Sequence, residues 1–193
     1  MFTQIGAKPE SDFSEPLGML RDCHKRIQFF LKDLMRLADS STEPLDSARR
    51  TALERALRYF RESGPRHTAD EEESLFPRMR KMSDPRVDEA LKEIRELEAD
   101  HLRANEAHAA VEALGSLWLK EGVLSKDDAS RLKSFMRELS KLYEHHLEVE
   151  DNAVFPLAAS LLSGQDKTEI GREMAARRGL SPDVVKDPFA TLG

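Results

Sequence analysis

The chain has 193 residues, of which 39% are hydrophobic, 34% charged and 6% aromatic, with a formal charge of −6 and a single cysteine. That length suits one compact domain with a tail, the low aromatic content disfavours a β-sandwich or barrel, and the lone Cys23 excludes an internal disulfide or a multi-cysteine zinc site. No apolar run approaches the roughly 20 residues of a membrane span and no basic-then-apolar leader opens the chain. With the acidic balance disfavouring nucleic acid and anionic membranes, a helical, cytoplasmic protein is expected.

Residues 1–15 read as an N-terminal arm. Four segments then carry apolar residues at three- and four-residue spacing, the mark of amphipathic helices. The first runs from Pro16 to Ala38 through Leu17, Leu20, Ile27, Leu31 and Leu34. The second runs from Leu45 to Met82 through Leu53, Leu57, Phe60 and Leu75, with Gly64–Pro65 inside it. Proline there lacks an N–H and crowds the Arg61 carbonyl, so a kink is expected. That kink is either a tolerated bend or a device that aims His67 and, beside side-chain-free Gly64, leaves room for a small ligand. The third segment spans Pro85 to Lys120, with Leu91, Ile94, Leu97, Val111 and Trp118. The fourth spans Lys126 to Leu162, with Leu132, Phe135, Leu139, Leu142 and Leu157. Ser40–Pro44 separates the first pair, Asp84–Pro85 supplies a cap and a first-turn proline, and Gly122 followed by Ser125 and Asp128 stops one helix and caps the next. Short joins predict an all-α fold: an antiparallel up-down-up-down four-helix bundle over residues 16–163. Residues 164–193 then form a short helix, about Lys167 to Arg177, and an extended tail. The basic face of that helix is expected to dock on the acidic bundle.

Polar residues stand where the period demands apolar ones. His24 lies between Leu20 and Ile27, the stripe through Phe60 continues to His67 and Glu71, His101 follows Leu97 by four, and His146 and Glu150 follow Leu142 in steps of four. Buried imidazoles and carboxylates are costly unless paired or bound to a cation. In an antiparallel hairpin, residues at one height have their turn midway between them in number. Midway between His24 and His67 lies the Leu45–Asp46 junction; between His67 and His101, Asp84; between His101 and His146, the Val123–Leu124 junction. Each falls on or beside a turn read independently, so the four histidines belong to one layer.

An internal repeat adds to this. His67-Thr-Ala-Asp-Glu71 through Phe76-Pro77 aligns with His146-Leu-Glu-Val-Glu150 through Phe155-Pro156 at an offset of 79, and His24 aligns with His101 at an offset of 77. Each half supplies two histidines and one glutamate, and the i, i+4 spacing lets His67 with Glu71, and His146 with Glu150, reach a common ion. Two histidines and a carboxylate suit non-haem iron with open positions, and two such triads in one layer suggest a dinuclear site bridged by Glu71 and Glu150.

These motifs, His24 in Asp-Cys-His, the two His-x-x-x-Glu…Phe-Pro segments and His101 in Ala-Asp-His, resemble the hemerythrin-like family, the HHE cation-binding domain, over roughly residues 16–163. The resemblance implies a bundle holding two iron ions in an oxo- or hydroxo-bridged centre that meets dioxygen, nitric oxide or peroxide. By matching positions, the ligands are His24, His67, Glu71, His101, His146 and Glu150. Oxygen-carrying members have a further histidine where this chain has Asn105, which leaves the centre more open. They also use an aspartate at the position of Asp151; Glu150 is preferred here because it repeats Glu71. Function is read as binding or sensing O2 or NO, a sensor signalling through a protein partner. The alternatives are an enzyme of peroxide or NO detoxification or iron-donating repair, or a bundle holding zinc or no ion for stability; manganese is a lesser metal choice.

Of the remaining candidates, His145 reads as solvated, His108 as a packed or hydrogen-bonded edge, and Cys23 as a small buried residue. Tyr143 reads as packing or a hydrogen-bond donor behind the ligands. Asp70, Glu72 and Glu73 read as a mostly solvated face from which one member hydrogen-bonds a ligating imidazole.

Overall fold

The computed structural model describes residues 11–181, which are helical throughout apart from their connections; no strand occurs among them. Helix α1 spans Pro16–Ala38 and α2 spans Ser47–Glu62. The second apolar segment does not run unbroken to Met82. It stops at Ser63, resumes as α3 (Gly64–Ala69), widens into a π turn over Asp70–Leu75, and ends as α4 (Phe76–Met79). The third segment is one long helix, α5 (Pro85–Glu121). The fourth is α6 (Lys126–Val149), a second π turn (Glu150–Val154) and α7 (Phe155–Leu161). Helix α8 (Gly164–Arg177) begins before Lys167 because Ser163 and Asp166 form a reciprocal capping box.

The caps follow local chemistry. The Asp84 side chain accepts from Arg86 N–H, Ser125 accepts from Asp128 N–H, and α5 ends on Gly122 at φ 77°, a left-handed conformation that glycine adopts without steric cost. The two π turns precede Pro77 and Pro156, and in each the N–H of the Phe before the proline reaches back five residues, to the carbonyl of Glu71 or Glu150. A proline in a regular helix would strike the carbonyl four residues back; the wider turn just before it accommodates the ring.

Helix α1 packs on α2 and α6, and α5 also packs on α2 and α6. The connections after α1 and after α5 meet, through Leu45 N–H to the Gly122 carbonyl (2.7 Å) and Leu124 N–H to the Ser41 carbonyl (2.9 Å). The apolar interior is two clusters rather than one. Ile27, Leu53, Leu57, Val111, Trp118, Leu132 and Leu139 belong to the first; Leu20, Leu75, Phe76, Ile94, Leu97, Val154 and Phe155 belong to the second. Each fully buried side chain of this size contributes roughly 1.5–3 kcal/mol of transfer free energy. His24, His101 and the His67–Glu71 pair lie between the clusters in sequence on their rods, and on the fourth only Leu147 of the first cluster falls within the His146–Glu150 pair, so a polar layer divides the core.

The tail helix docks as expected, against the first π turn and α1. Asp70, expected on a solvated face, is instead completely buried beneath it and receives Arg177 (3.0 Å) and Arg178 (2.7 Å). Gly171 is required there: an added Cβ would lie 1.9 Å from the Phe13 carbonyl oxygen. Most of the N-terminal arm, and the extended tail beyond Ser181, lie outside the described residues.

Candidate metal centre

The six donors expected from the sequence come together. His24 projects from α1, His67 from α3, His101 from α5 and His146 from α6, while Glu71 is the second residue of the first π turn and Glu150 the first residue of the second. All six are buried, both glutamates completely. One ligand atom from each of His24, His67, Glu71 and Glu150 lies within 4.8 Å of the others, and the same holds for Glu71, His101, His146 and Glu150. The glutamates belong to both groups. His67 Nε2 lies 3.3 Å from Glu71, His101 Nε2 3.4 Å from Glu71, His146 Nε2 3.3 Å from Glu150 and His24 Nε2 3.2 Å from Glu150.

Most of these atoms lack hydrogen-bond partners. Nε2 of His24, His67 and His101, and both carboxylate oxygens of Glu71 and of Glu150, are buried without one. Leaving a buried polar group unsatisfied costs about 1–3 kcal/mol each, and more for a charge. Such a concentration at one level of an otherwise well-satisfied interior fits a cation, which would take up every one of these lone pairs. The electrostatics agree. Burial alone would discharge His24, but Asp151, Glu150 and Glu71 overcome it and raise its pKa to about 11. His101 is raised to about 9, against burial, chiefly by Glu71 and Glu72. Burial would raise the Glu71 carboxyl, yet the imidazoles of His67, His101 and His24 hold it well below the usual carboxylate range. The layer favours positive charge at its centre.

Behind the donors stands a set of orienting groups that obeys the same repeat. Asp151 accepts from His24 Nδ1 at 3.1 Å, and Glu72 from His101 Nδ1 at 2.8 Å. Glu72 and Asp151 each follow a donor glutamate, 79 positions apart. The half-exposed Asp151 therefore faces the back of an imidazole, while Glu150 faces the centre. Asp100 approaches His146 Nδ1 at 3.5 Å; its counterpart 77 positions earlier is Cys23, which faces His67. Burial would raise the Cys23 thiol, but His67 and Arg26 draw it down to about 7. Carboxylates behind ligating imidazoles fix tautomer and ring orientation. Sequence reasoning anticipated one such partner in the run Asp70–Glu73 and found neither Asp100 nor the role of Asp151; aligning the halves residue by residue would have paired Glu72 with Asp151.

Residues 15–158 match the hemerythrin HHE cation-binding domain family. The chain belongs to that family. An uncharacterized protein of Haemophilus influenzae is 29% identical over 167 residues, 86% of this chain and 91% of the relative. Membership in a cation-binding family and two overlapping His/Glu clusters agree on what this layer can hold. Among the described residues no helix is long and apolar enough to cross a membrane.

The other histidines are placed apart from the layer. His145 is exposed. His108 Nε2 is 2.9 Å from the Tyr143 hydroxyl, and burial pushes its pKa down to about 4.

Proposed function

We propose that the layer holds two iron ions, one between His24 and His67 and one between His101 and His146, with Glu71 and Glu150 shared, and that the protein binds or senses O2 or NO there. The observation that carries this reading is the set of buried, unpartnered donor atoms on four helices and two π turns. Two histidines per position with shared carboxylates leave sites open to exogenous ligands. Bound iron supplies reversible electron transfer and affinity for diatomic molecules or peroxide. The chain's own groups set the rest: Asp151 and Glu72 hold the His24 and His101 rings, and the two apolar clusters above and below keep bulk water from the layer. In this reading residues 16–163 form an up-down-up-down bundle with an arm before it and a helical tail after it. The protein works in the cytoplasm without nucleic acid or membrane, and signals, where it does, through a protein partner.

A second reading, catalytic removal of peroxide or NO or donation of iron for repair, is favoured by Asn105. This exposed residue stands where oxygen-carrying members have a histidine, and it lines an opening that reaches His101. Aerobic purification with metal analysis and an absorption spectrum tests both. About two irons per chain with oxo-bridged charge-transfer bands is the expected result. Zinc, or no metal and no change in thermal stability on chelation, refutes both. Catalytic loss of H2O2 or NO that disappears in His101→Ala selects the enzyme; stoichiometric uptake selects the binder.

A further inference from the structure

The repeat that builds the donor layer also relates two openings in the surface, and the two differ. The first is a cavity of about 220 Å3 between α2–α3 and α5 whose inner end is His101. Gly64 and Thr68 form one wall, Asn105 and His108 the other, and the ion pair of Arg61 with Glu112, 3.6 Å apart, stands at its rim. The second is a groove of about 300 Å3 between α1 and α6, lined by Gln28, Leu31 and Tyr143 but not by His24. Gln28 and Leu31 stand 77 positions before Asn105 and His108, and Tyr143 stands 79 positions after Gly64. These are the same place in the two halves.

Three substitutions between the halves separate an open passage from a closed one. A Cβ at Gly64 would meet nothing within 4 Å, so the cavity wall is open there. At the equivalent position of the other half, Tyr143 fills the space with a ring. Its hydroxyl reaches across to His108 Nε2 at 2.9 Å, and its ring stands edge-on to His146 with centroids 6.3 Å apart. Tyr143 lines both openings and therefore partitions them. Where the open side has His108 and Asn105, the closed side has Leu31, which is buried, and Gln28. A volume of about 220 Å3 exceeds the ~150 Å3 that takes up xenon or benzene in an engineered protein cavity. It is also polar enough, through Thr68, Asn105, His108 and Tyr143, to pass a small hydrogen-bonding molecule.

We infer that small exogenous ligands, diatomic gases, peroxide or azide, enter the donor layer from this side alone and meet the position between His101 and His146, because Gly64 opens this passage and Tyr143 closes its twin. The inference rests on the two-metal reading. It makes the two positions unequal although their donors are the same.

The test has a metal-free and a metal-loaded part. Crystals of chelated protein under xenon pressure are expected to show xenon against His101 and none against His24. In iron-loaded protein, Ala109→Phe, which fills the cavity from an exposed position on α5, is expected to slow azide association roughly tenfold or more at unchanged iron content. Gly64→Leu is expected to act in the same direction; because a side chain before Pro65 also disfavours the helical turn, Ala109→Phe decides the matter. Lys32→Phe, at the equivalent point of the closed groove, is expected to leave the rate unchanged. A crystal structure with azide should place it on the iron of His101 and His146. Xenon against His24 or azide on the iron of His24 and His67, or unchanged azide rates in both blocked variants with azide still bound, overturns the inference and leaves the two-metal reading standing. A protein that takes up no iron, or whose iron takes no azide, overturns that reading and the inference with it.

Discussion

Replacing His67 and Glu71 together by leucine separates a cation-binding layer from a merely structural cluster, because the two accounts assign opposite signs to it. His67 is 4% exposed and neither of its ring nitrogens has a hydrogen-bond partner; Glu71 is completely buried and both of its carboxylate oxygens lack one. In the metal-free protein each such atom costs about 1–3 kcal/mol. Removing His67 alone would take from Glu71 the imidazole 3.3 Å away that does most to hold its charge, and breaking a buried pair from one side is destabilising. Removing both partners strands no charge, at the cost of the Glu71 attractions to His101 at 3.4 Å and His24 at 3.8 Å. A net gain of about 1–3 kcal/mol is expected, the behaviour of a buried pair replaced whole by apolar residues. For a chain of this size that raises Tm by about 3–10 °C in the presence of chelator. The double variant should also shrink the rise in Tm that added iron produces, since two donors are gone. Differential scanning calorimetry with iron and with chelator reads both numbers. A metal-free double variant weaker by more than about 2 kcal/mol, with the iron-dependent increment intact, would refute the reasoning and make His67 and Glu71 an ordinary core pair.

Three further outcomes are expected. Asp70→Asn should cost about 2–3 kcal/mol in urea unfolding, since a fully buried carboxylate loses its charge between two guanidinium groups that are themselves 18–19% exposed and partly rehydrated; a loss below 0.5 kcal/mol would mean that α8 is held by its apolar contacts alone. Gly171→Ala should separate α8 from the segment at Phe13, since the clash is with backbone, and tryptic cleavage within residues 164–178 should accelerate by at least about tenfold. For His108, the folded pKa of about 4 lies below the usual 6.5, so the unfolded chain binds the proton first and stability falls as pH drops from 6.5 toward 4. His24 and His101, with raised pKa values of about 11 and about 9, add no slope in that window; their contribution is lost only as pH rises above it. His108→Gln should therefore flatten the decline between pH 6.5 and 4 by on the order of 2 kcal/mol, and an unchanged slope would locate the sensitivity elsewhere.

What the sequence made legible was what is encoded locally or by period. The caps at Asp84 and Ser125 and the start of α1 at Pro16 depend on adjacent residues, and the heights of His24, His67, His101 and His146 follow from counting along rods of constant rise. The π turns left no periodic trace, because five or six residues of wider helix barely disturb an apolar stripe. Gly64–Pro65 announced a kink, and the helix is interrupted there at Ser63 alone, which keeps right-handed helical angles while α3 starts with proline in its first turn. Asp70 looked solvated because its partners lie 107 and 108 residues away on a helix whose docking no local pattern encodes. The orienting roles of Asp151 and Glu72, and the approach of Asp100 to His146, depend on ring orientation, which spacing along one helix does not specify.

The polar layer also dictates an order of events during synthesis. His24 emerges from the ribosome 127 residues before Asp151, the group that orients its ring, and the arginines that cover Asp70 arrive later still. No contiguous stretch of the nascent chain contains both positions of the centre until residue 150 is made, so the first-half donors wait in helices that can pack on one another and on α5 but not yet on α6. The long-range pairings put the layer among the late, slow steps of folding, and they place ion acceptance after the chain is nearly complete. Any ion the layer holds therefore meets its complete set of donors only in a nearly finished molecule.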